Sequence, residues 1–165
     1  MIRAIIGLFI ILASTPQTYA QKNDQPYRIV IDVFSTLVQG FQEKHPLYKS
    51  SGRQHTEVNH SAYIFYPHAR DVLANLFKDP RYEVYFYVGN QEKVATEIFQ
   101  AIPLESDDKF LMNYITDHHR LLSKTADGPF SLTSLGFDPN HTLFITSEKK
   151  SDLSGSEGVS VAQLG

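Results

Sequence analysis

Cysteine is absent from the chain. That removes disulfides, thiol chemistry and every cysteine-ligated zinc site. Basic residues are in short supply as well: 15 Lys and Arg face 18 Asp and Glu, for a net charge of −3. So mild an acidity offers no footprint for nucleic acid or for an anionic lipid surface. Apolar runs are short. The one at Ala4–Ala13 is too brief to span a bilayer comfortably. No Gly-rich phosphate loop of the Walker or Rossmann type occurs, and Ser35 lacks the Gly-x-Ser-x-Gly setting of a nucleophile elbow. Histidines are present, but His118 and His119 are adjacent and His55 and His60 lie five apart, spacings that fit no common structural zinc site.

What remains is a chain of 165 residues, 42% hydrophobic and 12% aromatic, which suits one domain with a packed core. Its start reads as a secretory signal peptide over residues 1–20. Arg3 supplies the positive flank, Ala4–Ala13 the apolar segment, and Thr18-Tyr19-Ala20 the small residues at a cleavage site. An uncleaved membrane anchor is the rival reading. Cleavage after Ala20 predicts a secreted or periplasmic domain over 21–165, without stable membrane insertion. It removes one basic residue and no acidic one, so 14 basic residues face 18 acidic ones and the charge becomes −4. An exported domain without disulfides depends on its core.

The mature chain alternates strand-like and helix-like segments. Arg28–Ile31 is a short apolar run closed by Asp32. Residues 39–60 are polar, lack a sustained period and contain His45-Pro46 and Ser50-Ser51-Gly52, which predicts a flexible insertion. After the aromatic segment Tyr63–Tyr66, Pro67 suits a helix start, and Ala69, Val72, Leu73, Leu76 and Phe77 form one apolar stripe. Tyr82–Val88 is aromatic and β-branched, as a buried strand requires. Gly89-Asn90 then turns into a second helix over Gln91–Ala101. Strands are expected at Phe110–Ile115 and Thr142–Thr146, with a weaker one at Val159–Ala162, and a short helix at Phe130–Leu135 ending at Gly136. The pattern predicts a Rossmann-like α/β fold: a mainly parallel sheet flanked by helices.

In such sheets ligands bind at the carboxyl ends of the strands. Asp32 and Thr36 follow the first strand, and Gly89 and Asn90 the second. Lys124 lies beyond the third, and Ser147, Glu148 and Asp152 follow the fourth. One lysine and three acids on one rim suit Mg²⁺-assisted phosphoryl transfer. Asp32 would be the nucleophile, Lys124 the charge stabiliser, and Asp32, Glu148 and Asp152 the metal ligands. Plainer roles exist for each: Asp32 as a cap on the next turn, Thr36 as a turn hydroxyl, Lys124 as a solvated lysine, and Glu148 and Asp152 as members of a charged loop with Lys149 and Lys150.

The segment Asp32-Val33-Phe34-Ser35-Thr36-Leu37-Val38 resembles the first motif of the haloacid dehalogenase-like superfamily, Asp-x-Asp-x-Thr followed by apolar residues. The tail from Ser131 to Gly155 resembles that superfamily's helix, Leu-Gly, proline turn, buried strand and final acidic motif, with Ser147-Glu148 and Asp152 in the places of Gly-Asp and the last Asp. The resemblance spans roughly Arg28 to Leu164, leaves 39–60 unmatched, and implies a core without a large cap. It also implies a phosphatase working through an aspartyl-phosphate, with Thr36, Gly89 and Asn90 contacting the substrate.

The departures from that pattern are specific. Phosphatases of the superfamily carry a second Asp two residues after the nucleophile, and here that residue is Phe34. Tyr87-Val88 replaces a Ser or Thr of the second motif. A missing acid–base residue costs about 10²–10⁴ in rate. The expected function is therefore a weak or specialised hydrolase acting on a phosphorylated substrate, such as a phosphopeptide or a phosphorylated surface polymer. The alternative is a pseudoenzyme, a binding module for a protein partner. An aromatic after the nucleophile also resembles the dehalogenase branch, but the missing cap counts against it.

Overall fold

Ile29, Val30 and Ile31 leave a strand with no polar face, and such a strand needs cover on both sides. It has that cover. In the computed structural model, which describes residues 25–42, 56–66, 68–101, 115, 120–123, 131–147 and 160–163, these three side chains are buried. They belong to β1 (Tyr27–Asp32), the central strand of a five-stranded sheet. The other members are β5 (Tyr82–Gly89), β6 (Leu121–Ser123), β7 (Thr142–Thr146) and β8 (Ser160–Gln163). Their order is β6-β5-β1-β7-β8, and every neighbouring pair is parallel.

Two helices cover one face. α1 (Ala69–Lys78) buries Ala69, Val72, Leu73 and Leu76, the stripe set by the helical period. α2 (Glu92–Ala101) buries Ala95, Ile98 and Phe99. Both stripes join Ile29, Ile31, Val84, Phe86 and Val88 in one core. The alternate strand residues point the other way. Val30 and Phe144 there meet Leu122, Leu132 and Phe137, with Tyr85 and Tyr87 packed against them. α1 follows His68, which takes a left-handed conformation (φ 65°) and makes no side-chain cap. No helix among the described residues is long and apolar enough to cross a membrane.

Three expectations change. Residues 39–60 are not wholly a loop. β2 (Val38–Gln42) and β3 (Thr56–Val58) pair with β4 (Ser61–Phe65) in a separate antiparallel sheet of order β2-β4-β3. β3 and β4 are joined by Asn59-His60, both at positive φ (51° and 63°), the backbone that a two-residue hairpin turn requires. Second, β6, which the sequence pattern does not predict, lies beside β5. Ile115 is buried but lies in no strand, and 110–114 fall outside the described residues. Third, 131–136 makes turns rather than a helix. Gly136 N–H donates to Thr133 O (3.0 Å) and Phe137 N–H to Leu132 O (3.1 Å), with Gly136 at φ 79°. The expected signal peptide lies outside the described residues.

Candidate functional site

The chain leaves β1, reaches β5 on one side, then β6, and returns across β1 to β7 on the other. The crevice of an open α/β sheet lies where such paths part, at the carboxyl ends of β1 and β7. Asp32 ends β1 and Thr146 ends β7. Asp32 shares the face of Val30 and stands in register with Tyr87 of β5. It is 6% exposed and Thr146 is fully buried.

A single π-helical turn, Val33–Leu37, follows Asp32 and is closed by Val38 N–H donating to Val33 O. Asp32 precedes this turn yet makes no side-chain cap, which sets aside the capping role. Its carboxylate accepts a hydrogen bond from Thr146 Oγ1 (3.0 Å to Oδ2). Ser35, within the turn, lies 3.2 Å from Thr146 Oγ1 through its Oγ, and accepts from Ser147 N–H at 3.2 Å. The Thr36 hydroxyl is engaged locally, donating to the Asp32 carbonyl. Among the described residues Asp32 has no cationic partner.

The rest of this rim is polar and partly spoken for. Gly89 ends β5 at φ 56° and Asn90 follows in the turn, where Gln91 N–H donates to Val88 O (3.0 Å). Ser123, at the end of β6, donates through Oγ to Glu92 Oε2 (2.6 Å) at the start of α2. The opposite rim differs. There Arg28 pairs with Glu83 (3.3 Å), donates to Gly136 O (3.1 Å) and covers the Phe137 ring, so its charge is already matched.

The two aromatic departures part company. Phe34 packs with the helix-side core and meets Tyr63 of β4 edge-on, centroids 6.2 Å apart. Tyr87 lies on the other face, edge-on to Phe144 at 5.9 Å. They do not fill one pocket together.

Of the residues singled out from sequence, Asp32, Thr36, Gly89 and Asn90 lie at or next to this rim. Lys124, Glu148 and Asp152 lie outside the described residues, and among those described no group of three or more His, Cys, Asp or Glu is placed to hold a metal. The donor atoms present, the Asp32 carboxylate with the Thr146 hydroxyl on it and the Ser35 hydroxyl beyond, are hard oxygens of the kind that suit Mg²⁺. Thr146 and Ser35 were not anticipated as site residues. No local sequence signal marks them, because the parallel pairing of β1 with β7 is what brings them beside Asp32. The chain matches no family model, and no curated protein matches it.

Proposed function

We propose that this is an exported, Mg²⁺-dependent phosphate-ester hydrolase of the haloacid dehalogenase-like kind, slow on esters with poor leaving groups. The observation that supports it is a buried carboxylate at the switch point that neither caps a turn nor pairs with a cation among the described residues. Burial without those roles is costly, and such groups cluster at functional sites.

In the proposed reaction an Asp32 Oδ forms a bond to phosphorus while the ester P–O bond breaks, and the leaving oxygen departs with the electron pair. Water then attacks phosphorus, which releases inorganic phosphate and restores the carboxylate. Asp32, with Glu148 and Asp152, would hold Mg²⁺, whose chemistry there is to neutralise charge on the phosphoryl oxygens. Lys124 would do the same from its own loop, while Thr36, Gly89 and Asn90 would contact the substrate. Phe34 donates no proton, so leaving groups that depart as stable anions are favoured.

The second reading is a binding module that keeps the fold without turnover. The contact of Phe34 with Tyr63 favours it, because the place of the acid–base residue is filled by packing. One experiment separates them: thermal stability against Mg²⁺ concentration, then hydrolysis of an aryl phosphate by wild type and Asp32→Asn. Stabilisation by Mg²⁺ and turnover lost in Asp32→Asn support the hydrolase. No metal response and no turnover support the binding module.

A further inference from the structure

We infer that Thr146 and Ser35 are positioning residues that hold the Asp32 carboxylate in one orientation through a one-way chain of hydrogen bonds. The inference rests on the reading of Asp32 as the reacting carboxylate for its catalytic consequence, though not for its geometry. A hydroxyl has one proton to donate and two lone pairs to accept with. The Thr146 proton goes to Asp32 Oδ2. Thr146 Oγ1 must then be the acceptor in its 3.2 Å contact with Ser35 Oγ, which makes Ser35 the donor. Ser35 in turn accepts from the Ser147 backbone N–H. The direction runs from Ser147 N–H through Ser35 and Thr146 to Asp32, each hydroxyl accepting one bond of the chain and donating the next.

The chain ties the turn after β1 to the end of β7 and terminates on one carboxylate oxygen. Thr146 is fully buried, so its hydroxyl is held by the packing around it. Oδ2 is held by this donor, and Oδ1 is thereby fixed in direction. A nucleophile held in its reacting orientation avoids an entropic penalty, and misplacement by about 1 Å can cost 10²-fold in rate.

The test reads Asp32 χ1 from three-bond couplings between its side-chain carboxyl carbon and its backbone nitrogen and carbonyl, in isotope-labelled full-length protein. Wild type and Thr146→Ser are expected to show one staggered rotamer. Thr146→Val and Ser35→Ala are expected to show averaging. Ser35 is only half-buried, so Ser35→Ala gives the answer even where Thr146→Val fails to fold. Averaged couplings in wild type, or the same single rotamer in Ser35→Ala as in wild type, overturn the inference. With p-nitrophenyl phosphate and Mg²⁺, Thr146→Val is expected to lose kcat by about tenfold or more with KM changed less than about twofold, and Thr146→Ser to recover it. An unchanged kcat in folded Thr146→Val overturns the catalytic consequence. A wild type that turns nothing over, while its couplings respond as expected, overturns the hydrolase reading and leaves the positioning intact.

Discussion

Thr146 Oγ1 donates to Asp32 Oδ2 at 3.0 Å across 114 residues of chain. The bond joins the ends of two parallel neighbours, β1 and β7, on the face they share with Phe144 and Tyr87. Among the described residues it is the one side-chain hydrogen bond to this buried carboxylate, from an uncharged donor. Hydrogen bonds to charged groups contribute about 1.5–3 kcal/mol, whereas a desolvated ion costs several kcal/mol. By that comparison one bond of this kind does not by itself outweigh the desolvation of a charge.

That balance gives Asp32→Asn a clear expectation. The amide oxygen still accepts from Thr146 and the desolvation of charge is gone. Urea unfolding at pH 7 should show unchanged stability or a gain of about 1 kcal/mol. A loss of more than about 1 kcal/mol would mean that the carboxylate is there to hold the fold.

Phe34 stands where the resemblance expects an acid. Phe34→Asp should raise turnover of alkyl phosphates by about tenfold or more, a part of the 10²–10⁴ that a positioned acid contributes. It should lower stability, because the contact with Tyr63 is lost. Turnover measured for alkyl and aryl esters on one folded sample settles it. The rate ratio of aryl to alkyl should shrink, and an unchanged ratio would remove the assigned role of that position.

Gly40 is a glycine for space. A Cβ there would lie 3.0 Å from Tyr63 Cε1, and Tyr63 is itself held by Phe34. Gly→Ala in an unstrained backbone stabilises by about 0.4–1 kcal/mol, but overpacking costs about 1–3 kcal/mol. Gly40→Ala should lose about 1 kcal/mol in denaturant unfolding, and the loss should vanish when Tyr63→Leu is added. A stabilised Gly40→Ala would show that the ring moves aside freely.

Asp138 orders the short 3₁₀ turn Pro139–His141 that leads into β7. Its carboxylate accepts from Asn140 N–H (2.9 Å) and lies 3.0 Å from His141 Nδ1. The Asn140 N–H, then the His141 ring, hold its carboxyl below the ordinary 3.8. A depressed carboxyl contributes stability that is present above its unfolded value and is lost as pH falls through the folded one. Asp138→Ala should therefore have a lower Tm than wild type at pH 7, and the gap should close as pH falls below about 4. A gap constant with pH would mean that the carboxylate's charge is not what orders the turn.

Much of the fold was legible because its signals are periodic. The run Ile29–Ile31, the strand Tyr82–Val88 and the stripes of α1 and α2 each announce their burial. The small sheet was not. Gly40 reads as a strand breaker until the Tyr63 ring is seen lying against it, and the hairpin turn uses Asn59-His60, without the glycine that usually marks such turns. β6 has three residues, too few to carry a pattern. Asp32 stood out as a charge that closes an apolar run. Thr146 did not, because a β-branched threonine in Thr142–Thr146 looks like ordinary strand composition. Its role depends on a partner brought alongside by strand order, which no local spacing encodes.

The most direct measurement is mass analysis of the peptide carrying Asp32 after wild type, with Mg²⁺ and an aryl phosphate, is quenched in acid during turnover. The expected result is one added phosphoryl group on Asp32, absent from Asp32→Asn, which should also lack turnover. Steady turnover with Asp32 unmodified, or turnover retained in Asp32→Asn, would contradict an aspartyl-phosphate at the end of β1.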